Sequence, residues 1–288
     1  MLFRSVWTPC DAPAGTLALG PLRIAGTRGC AIAGTGALPL VLMSHGSGGS
    51  ALGHHDTAAA LADAGFIVAA VHHPGDHAED RSRQGTLAAF ASRPADITRL
   101  LDHLLQAWPE RARIDPARVG FFGFSRGAVT GLVLLGGVPD FARLRSTCAQ
   151  GSGVPLCTQI AGPAASWPPL PPPDARVRAA VIVDPLDVFD AAGLRAVTAP
   201  VQLWASALGG EGVALAGTEA LRQSLPQPPQ WHAVPGAGHF AFLPPCPPAL
   251  AQEAPEVCAD APGFDRAAFH ARFNDAVRAF LQQRLAAP

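Results

Sequence analysis

Charge is scarce in this chain. Asp, Glu, Lys and Arg together make up 15% of its 288 residues, and 21 basic residues nearly balance 22 acidic ones, for a formal net charge of −1. Such a chain has no basic field with which to hold nucleic acid or an anionic membrane surface. Long apolar runs are missing too: none reaches the ~18–20 residues of a membrane-spanning helix, so no integral membrane association is expected. The start, Met1-Leu2-Phe3-Arg4-Ser5-Val6-Trp7, carries no signal-peptide pattern. There is no H-E-x-x-H and no paired C-x-x-C, so His45, His54, His55, His72, His73 and His77 lack the spacing of a known metal motif and no metal is expected. Tyrosine is absent as well, and nothing about the chemistry follows from that.

What is abundant points elsewhere. Hydrophobic residues reach 49%, with 30 glycines and 29 prolines, as in a well-buried α/β domain with long structured loops. The length suits one such domain over 1–288. Around Gly123-Phe124-Ser125-Arg126-Gly127 the signal is strongest. The apolar run 118–122 reads as a buried strand, and 128–135 as a helix stopped by Gly136-Gly137. Strand, sharp turn and helix form the context a G-x-S-x-G nucleophile elbow requires. The glycines permit the turn, and the helix N-terminus directs positive N–H groups at developing negative charge.

Strands and helices alternate along the rest of the chain. Residues 3–8 and 21–26 read as edge strands around a turn at Asp11-Ala12-Pro13. Buried strands are expected at 38–44 and 66–71, and further strands at 177–183, 201–205 and 231–234. Helices are expected at 56–64, from Ser92 as cap through about Ala107, at 218–225 and at 264–285. Alternation of this kind predicts a doubly wound, mostly parallel sheet. Residues 138–176 interrupt it with a Pro/Gly/Ser-rich insert, long enough to act as a lid over a binding site, with Trp167 a candidate lining residue.

In such sheets ligands bind beyond the carboxyl ends of the strands. A serine becomes a nucleophile only with an imidazole to take its proton, and the imidazole needs a carboxylate to fix its tautomer. His239, in the glycine-bracketed loop after the last strand, is the expected base for Ser125. Two acids compete: Asp184, at the end of the 177–183 strand, and Glu211, in the flexible glycine-rich loop after 201–205; Asp184, a short side chain leaving a buried strand end and held by Pro185, is the expected one. The expected oxyanion donors are the amides of Arg126 and of Ser47, the latter in the loop His45-Gly46-Ser47-Gly48-Gly49. That loop lacks the Lys-Ser/Thr ending of a P-loop. His45, Gly46, His73 and Phe240 join Trp167 as candidate substrate-binding residues, and Asp96 is expected to be structural.

Taken together, these stretches resemble the serine-dependent, dienelactone-hydrolase-like branch of the α/β-hydrolases, near the platelet-activating-factor acetylhydrolase-like lipases. The resemblance rests on Val6-Trp7-Thr8-Pro9, Ser44 to Gly49, His73-Pro74-Gly75, Gly123 to Gly127, Asp184-Pro185, Pro235 to Phe240 and Gly263 to His270. It implies a cofactor-free carboxylic ester hydrolase acting on a neutral small-molecule, lipid or polymeric ester. Members of that branch often carry a further strand before the Val-Trp stretch, which would place the natural start upstream. An amidase or peptidase on the same residues, or an inactive binding protein of this fold, remain alternatives. The cysteines fall into neighbouring pairs in loop-like stretches, 10 with 30, 148 with 157 and 246 with 258. Disulfides in those pairs would place the protein in the periplasm or outside the cell, the alternative being free thiols in the cytoplasm.

Overall fold

The computed structural model describes residues 4–148, 155–161 and 168–287. Its strands are β1 (Arg4–Trp7), β2 (Gly15–Leu19), β3 (Leu22–Gly26), β4 (Leu38–Ser44), β5 (Ile67–Val71), β6 (Ile114–Phe124), β7 (Val177–Val183), β8 (Val201–Ser206) and β9 (Gln230–Val234). Its helices are α1 (His55–Asp63), α2 (Leu87–Gln106), α3 (Arg126–Leu134), α4 (Arg145–Cys148), α5 (Pro155–Ala161), α6 (Ala191–Leu194), α7 (Leu215–Ser224), α8 (Pro248–Glu253), α9 (Pro255–Cys258) and α10 (Arg266–Arg284).

Seven strands form one sheet in the order β1-β5-β4-β6-β7-β8-β9. Only β1 is antiparallel to its neighbour; the remaining pairs are parallel. The central strands are apolar on both faces, as a sheet covered by helices on both sides requires. Leu40, Leu42, Phe121 and Ile182 point into one core with Ile97 and Leu101 of α2 and Leu132 of α3. Their neighbours Val41, Met43, Phe122 and Val181 point into the other, with Leu61 of α1 and Phe273 and Val277 of α10. Every central parallel strand therefore delivers its carboxyl end to the same edge of the sheet.

Two expectations need correction. The N-terminal strands do not pair with each other. β1 joins the main sheet beside β5, while β2 and β3 form a separate hairpin. Helix α2 begins at Leu87, not at Ser92, and Pro94 lies inside it. Thr86 is its cap, with Oγ1 accepting from the Ala89 amide at 3.1 Å. The Leu87 amide donates at 2.7 Å to Gln159 Oε1 of α5. This extra turn is thus held by a residue of the insert, a tertiary contact that local signals cannot carry.

Part of the insert lies outside the described residues, as does Trp167. What is described packs onto the domain: Phe141, Leu144, Leu156 and Ile160 are buried in the core cluster with Phe90 and Val133. Three disulfides close loops as the proximity reading expected, Cys10–Cys30, Cys148–Cys157 and Cys246–Cys258, and they fit an oxidising compartment. No helix among the described residues is long and apolar enough to cross a membrane.

Candidate active site

Ser125 sits between β6 and α3 with φ 57° and ψ −117°. A non-glycine residue there stores on the order of 1–3 kcal/mol of strain, which the surrounding structure must offset. Two glycines make the turn possible. A Cβ at Gly123 would collide with the Gly127 carbonyl, and one at Gly127 with the carbonyl of Ser44. Backbone bonds hold the turn: the Ser125 amide donates to Val183 O at 2.8 Å, and its own carbonyl accepts from Ala128 and Val129. The hydroxyl is left at the sheet edge, on a residue only 7% exposed.

His239 reaches that hydroxyl. Its Nε2 lies 3.0 Å from Ser125 Oγ, and its Nδ1 lies 2.6 Å from Asp184 Oδ2. Its ring stacks on Phe124 at 4.6 Å, and its amide donates to Gly209 O at 2.8 Å. Asp184 is fully buried and leaves β7 with φ 48°, a conformation Asp tolerates better than most residues. Ser206, at the end of β8, donates to Asp184 twice, from its amide to Oδ1 at 2.8 Å and from its hydroxyl to Oδ2 at 2.7 Å. Three donors thus satisfy the oxygens of this buried carboxylate. Glu211 is exposed in its loop and makes no hydrogen bond with His239 among the described residues.

The 45–49 loop lies beside Ser125. A Cβ on Gly46 would stand 3.4 Å from the Ser125 Cβ and 3.1 Å from the Phe124 ring. Its carbonyls are pulled the other way by Arg93, a wholly buried residue of α2. Arg93 Nη1 donates to His45 O at 2.6 Å, Nη2 to Gly46 O at 2.9 Å, and Nε to Asp76 Oδ2 at 3.0 Å. Asp76 Oδ1 accepts from the Gly48 amide at 2.9 Å. Burial draws the Arg93 pKa down to about 10, with Asp76 opposing, so it stays cationic near neutral pH. With the carbonyls of 45 and 46 tied to Arg93, the amides of Ser47 and Arg126 have no partner among the described residues. The Arg126 guanidinium lies 4.9 Å over the Phe90 ring and 3.7 Å from Asp76.

His45 and His73 lie beneath the surface at the carboxyl ends of β4 and β5. Both are buried. His45 Nδ1 lies 2.7 Å from Gly46 O, and the His73 amide donates to His45 Nε2 at 3.4 Å. His73 bridges Ser44 Oγ (2.8 Å) and Asp96 Oδ2 (3.1 Å). Burial, and then Arg93, hold both histidines well below the usual imidazole range. Burial raises Asp96 to about 6. The His73–Asp96 contact is therefore a neutral imidazole on a carboxylate, not an ion pair, at pH 7. Phe240 is half-buried beside His239, on a cleft of about 240 Å³ that Glu211, Glu256 and Asp260 also line.

No family model and no curated protein matches the chain. Among solved structures, it is similar to the ferulic acid esterase from Streptomyces cinnamoneus. The two share 21% identity with a TM-score of 0.65, over 100% of this chain and 86% of that one. At this identity the likeness bears on fold: the chain has a mixed α/β fold with a mostly parallel sheet, of the α/β-hydrolase type.

Arg93, Asp76 and Ser206 were not singled out from the sequence. One signal for Arg93 was there. It falls in the apolar stripe of α2, three residues after Phe90 and four before Ile97, where a charge must find a buried partner. Ser206 merely ends a strand and carries no such mark.

Proposed function

We propose that the chain is a serine carboxylic ester hydrolase of the dienelactone-hydrolase-like branch, one domain over 1–288 with 138–176 as an insert beside the site. The observation that carries the reading is the unbroken Ser125–His239–Asp184 chain at 3.0 and 2.6 Å. Ser125 Oγ attacks the acyl carbon while its proton passes to His239 Nε2. The Ser47 and Arg126 amides receive the oxyanion of the tetrahedral intermediate. Collapse expels the alcohol, which takes the proton from His239, and leaves an acyl-enzyme. Water then attacks, giving a proton to Nε2. The second collapse releases the carboxylic acid and returns the proton to Ser125. Asp184 holds the Nδ1–H tautomer and stabilises the imidazolium at each proton transfer.

Substrates are neutral esters, and the ferulic acid esterase neighbour makes an aromatic acyl group worth including. The disulfides favour a periplasmic or secreted location. The test is turnover of chromogenic esters from acetyl to long-chain acyl, with a feruloyl ester and a matched anilide. Esters should turn over and the anilide should not. Anilide turnover equal to that of the ester would replace this reading with an amidase. No turnover of any of them, with Ser125 unreactive, would indicate a binding protein.

A further inference from the structure

A second cluster of reactive side chains lies on the turn that follows β5. His72 leaves the strand end, and His77 and Glu79 return towards it through residues 73–80. Each of the three brings one ligand-type atom within 4.8 Å of the others. The two imidazoles face each other, centroids 4.8 Å apart and planes inclined by 33°. The backbone beneath them is tied. The His77 amide donates to Asp80 O at 2.9 Å, the Asp80 amide donates back to His77 O at 3.1 Å, and the Gly75 amide donates to Asp80 Oδ2 at 3.1 Å. The turn's backbone is thus fixed, and side-chain torsions are left to adjust.

We propose that His72, His77 and Glu79 bind a divalent transition-metal ion of the zinc class. Two imidazole nitrogens and one carboxylate oxygen suit zinc, cobalt, nickel or copper, whereas magnesium and calcium take all-oxygen sets. The neutral imidazole is the form that binds metal. Bonds of about 2.0–2.2 Å put tetrahedral donors ~3.4 Å apart, so atoms now up to 4.8 Å apart must draw in by up to ~1.4 Å. Glu79 is exposed and free to swing. His77 Nδ1 accepts only a long bond, 3.3 Å, from the Glu79 amide, which a metal ion displaces. Three protein ligands leave a fourth position for water. The Ala78 amide donates to Gly49 O at 2.8 Å, so a bound ion also braces the 45–49 loop from behind. None of this depends on the chemistry at Ser125.

Equilibrium dialysis of the disulfide-intact protein against zinc tests the site, with cobalt(II) absorption as a second readout of imidazole ligation. One ion per chain should bind. His77→Ala should weaken binding by at least ~100-fold and Glu79→Gln by ~10-fold or more. His103→Ala, on α2, should bind as the parent does. Circular dichroism of the metal-free variants checks that each is folded; Glu79→Gln replaces an exposed side chain and carries the test if His77→Ala does not fold. Zinc binding that is absent in the parent, or unchanged in folded Glu79→Gln and His77→Ala, overturns the proposal.

Discussion

Mild acid should destabilise this protein, because several histidines are buried where they cannot take up a proton. His54 is 5% exposed and packs edge-on against Phe122 and Phe124, ring centroids 5.0 and 5.3 Å away. Burial lowers its pKa from 6.5 to about 3, against the pull of Asp56. The folded pKa lies below the unfolded one. The contribution of His54 is therefore complete above pH 6.5 and is lost as the pH falls towards 3. At ~1.4 kcal/mol per tenfold, the loss is ~2 kcal/mol at pH 5 and ~5 kcal/mol near pH 3. His45 and His73 are lowered in the same direction, by burial and then by Arg93. Asp96 works the other way. Its folded pKa is raised to about 6 from 3.8, so its contribution is complete below 3.8 and disappears as the pH rises through 6. Near pH 5, His54 alone takes up about one proton on unfolding, a slope of ~1.4 kcal/mol per pH unit, with His45 and His73 acting in the same direction and Asp96 opposing. Urea midpoints between pH 5 and 7.5 measure that slope. His54→Leu should remove about one proton from it, ~1.4 kcal/mol per pH unit. A slope unchanged in His54→Leu would refute the reasoning.

Other outcomes follow from the site and its supports. Asp184→Asn should fold and lose ~10⁴ in turnover because the imidazole loses its tautomer, while Glu211→Gln stays close to the parent; steady-state rates on a short ester decide, and the reverse pattern moves the acid to the later loop. Arg93→Lys cannot grip His45 O, Gly46 O and Asp76 together, since an ammonium lacks the planar fork; kcat should fall while KM changes little. Mass spectrometry of the unreduced protein should find no free thiol among the six cysteines, and losing any one bridge should cost on the order of 2–3 kcal/mol in a denaturant titration.

The centre of the molecule was legible because its constraints are local. Gly123 is forced by contact with the Gly127 carbonyl inside the same motif, and such a turn announces itself within five residues. Central strands such as β5, Ile67–Val71, are continuous apolar runs, since both faces are covered. The hidden features are those with partners far along the chain. The first turn of α2 relies on Gln159, 72 residues away. The pairing of β1 with β5 joins Arg4 to Val71, and no turn signal records it. Asp96 was expected only to start a helix. It instead sits inside α2 and meets His73, itself pinned to Ser44, so a structural role survives for a reason the helix pattern does not contain. Asp184 was favoured over Glu211 because its short side chain leaves a buried strand end. The sequence did not show Ser206, whose two donors make a buried carboxylate tolerable at the end of β7.

The central claim is that Ser125 is the nucleophile, activated by His239. Its most direct test is labelling with an organophosphonate ester probe, read by peptide mass spectrometry alongside ester turnover. One adduct per chain, on Ser125, is the predicted result, with neither label nor turnover in Ser125→Ala. A label on another serine, or turnover kept in Ser125→Ala, would contradict it.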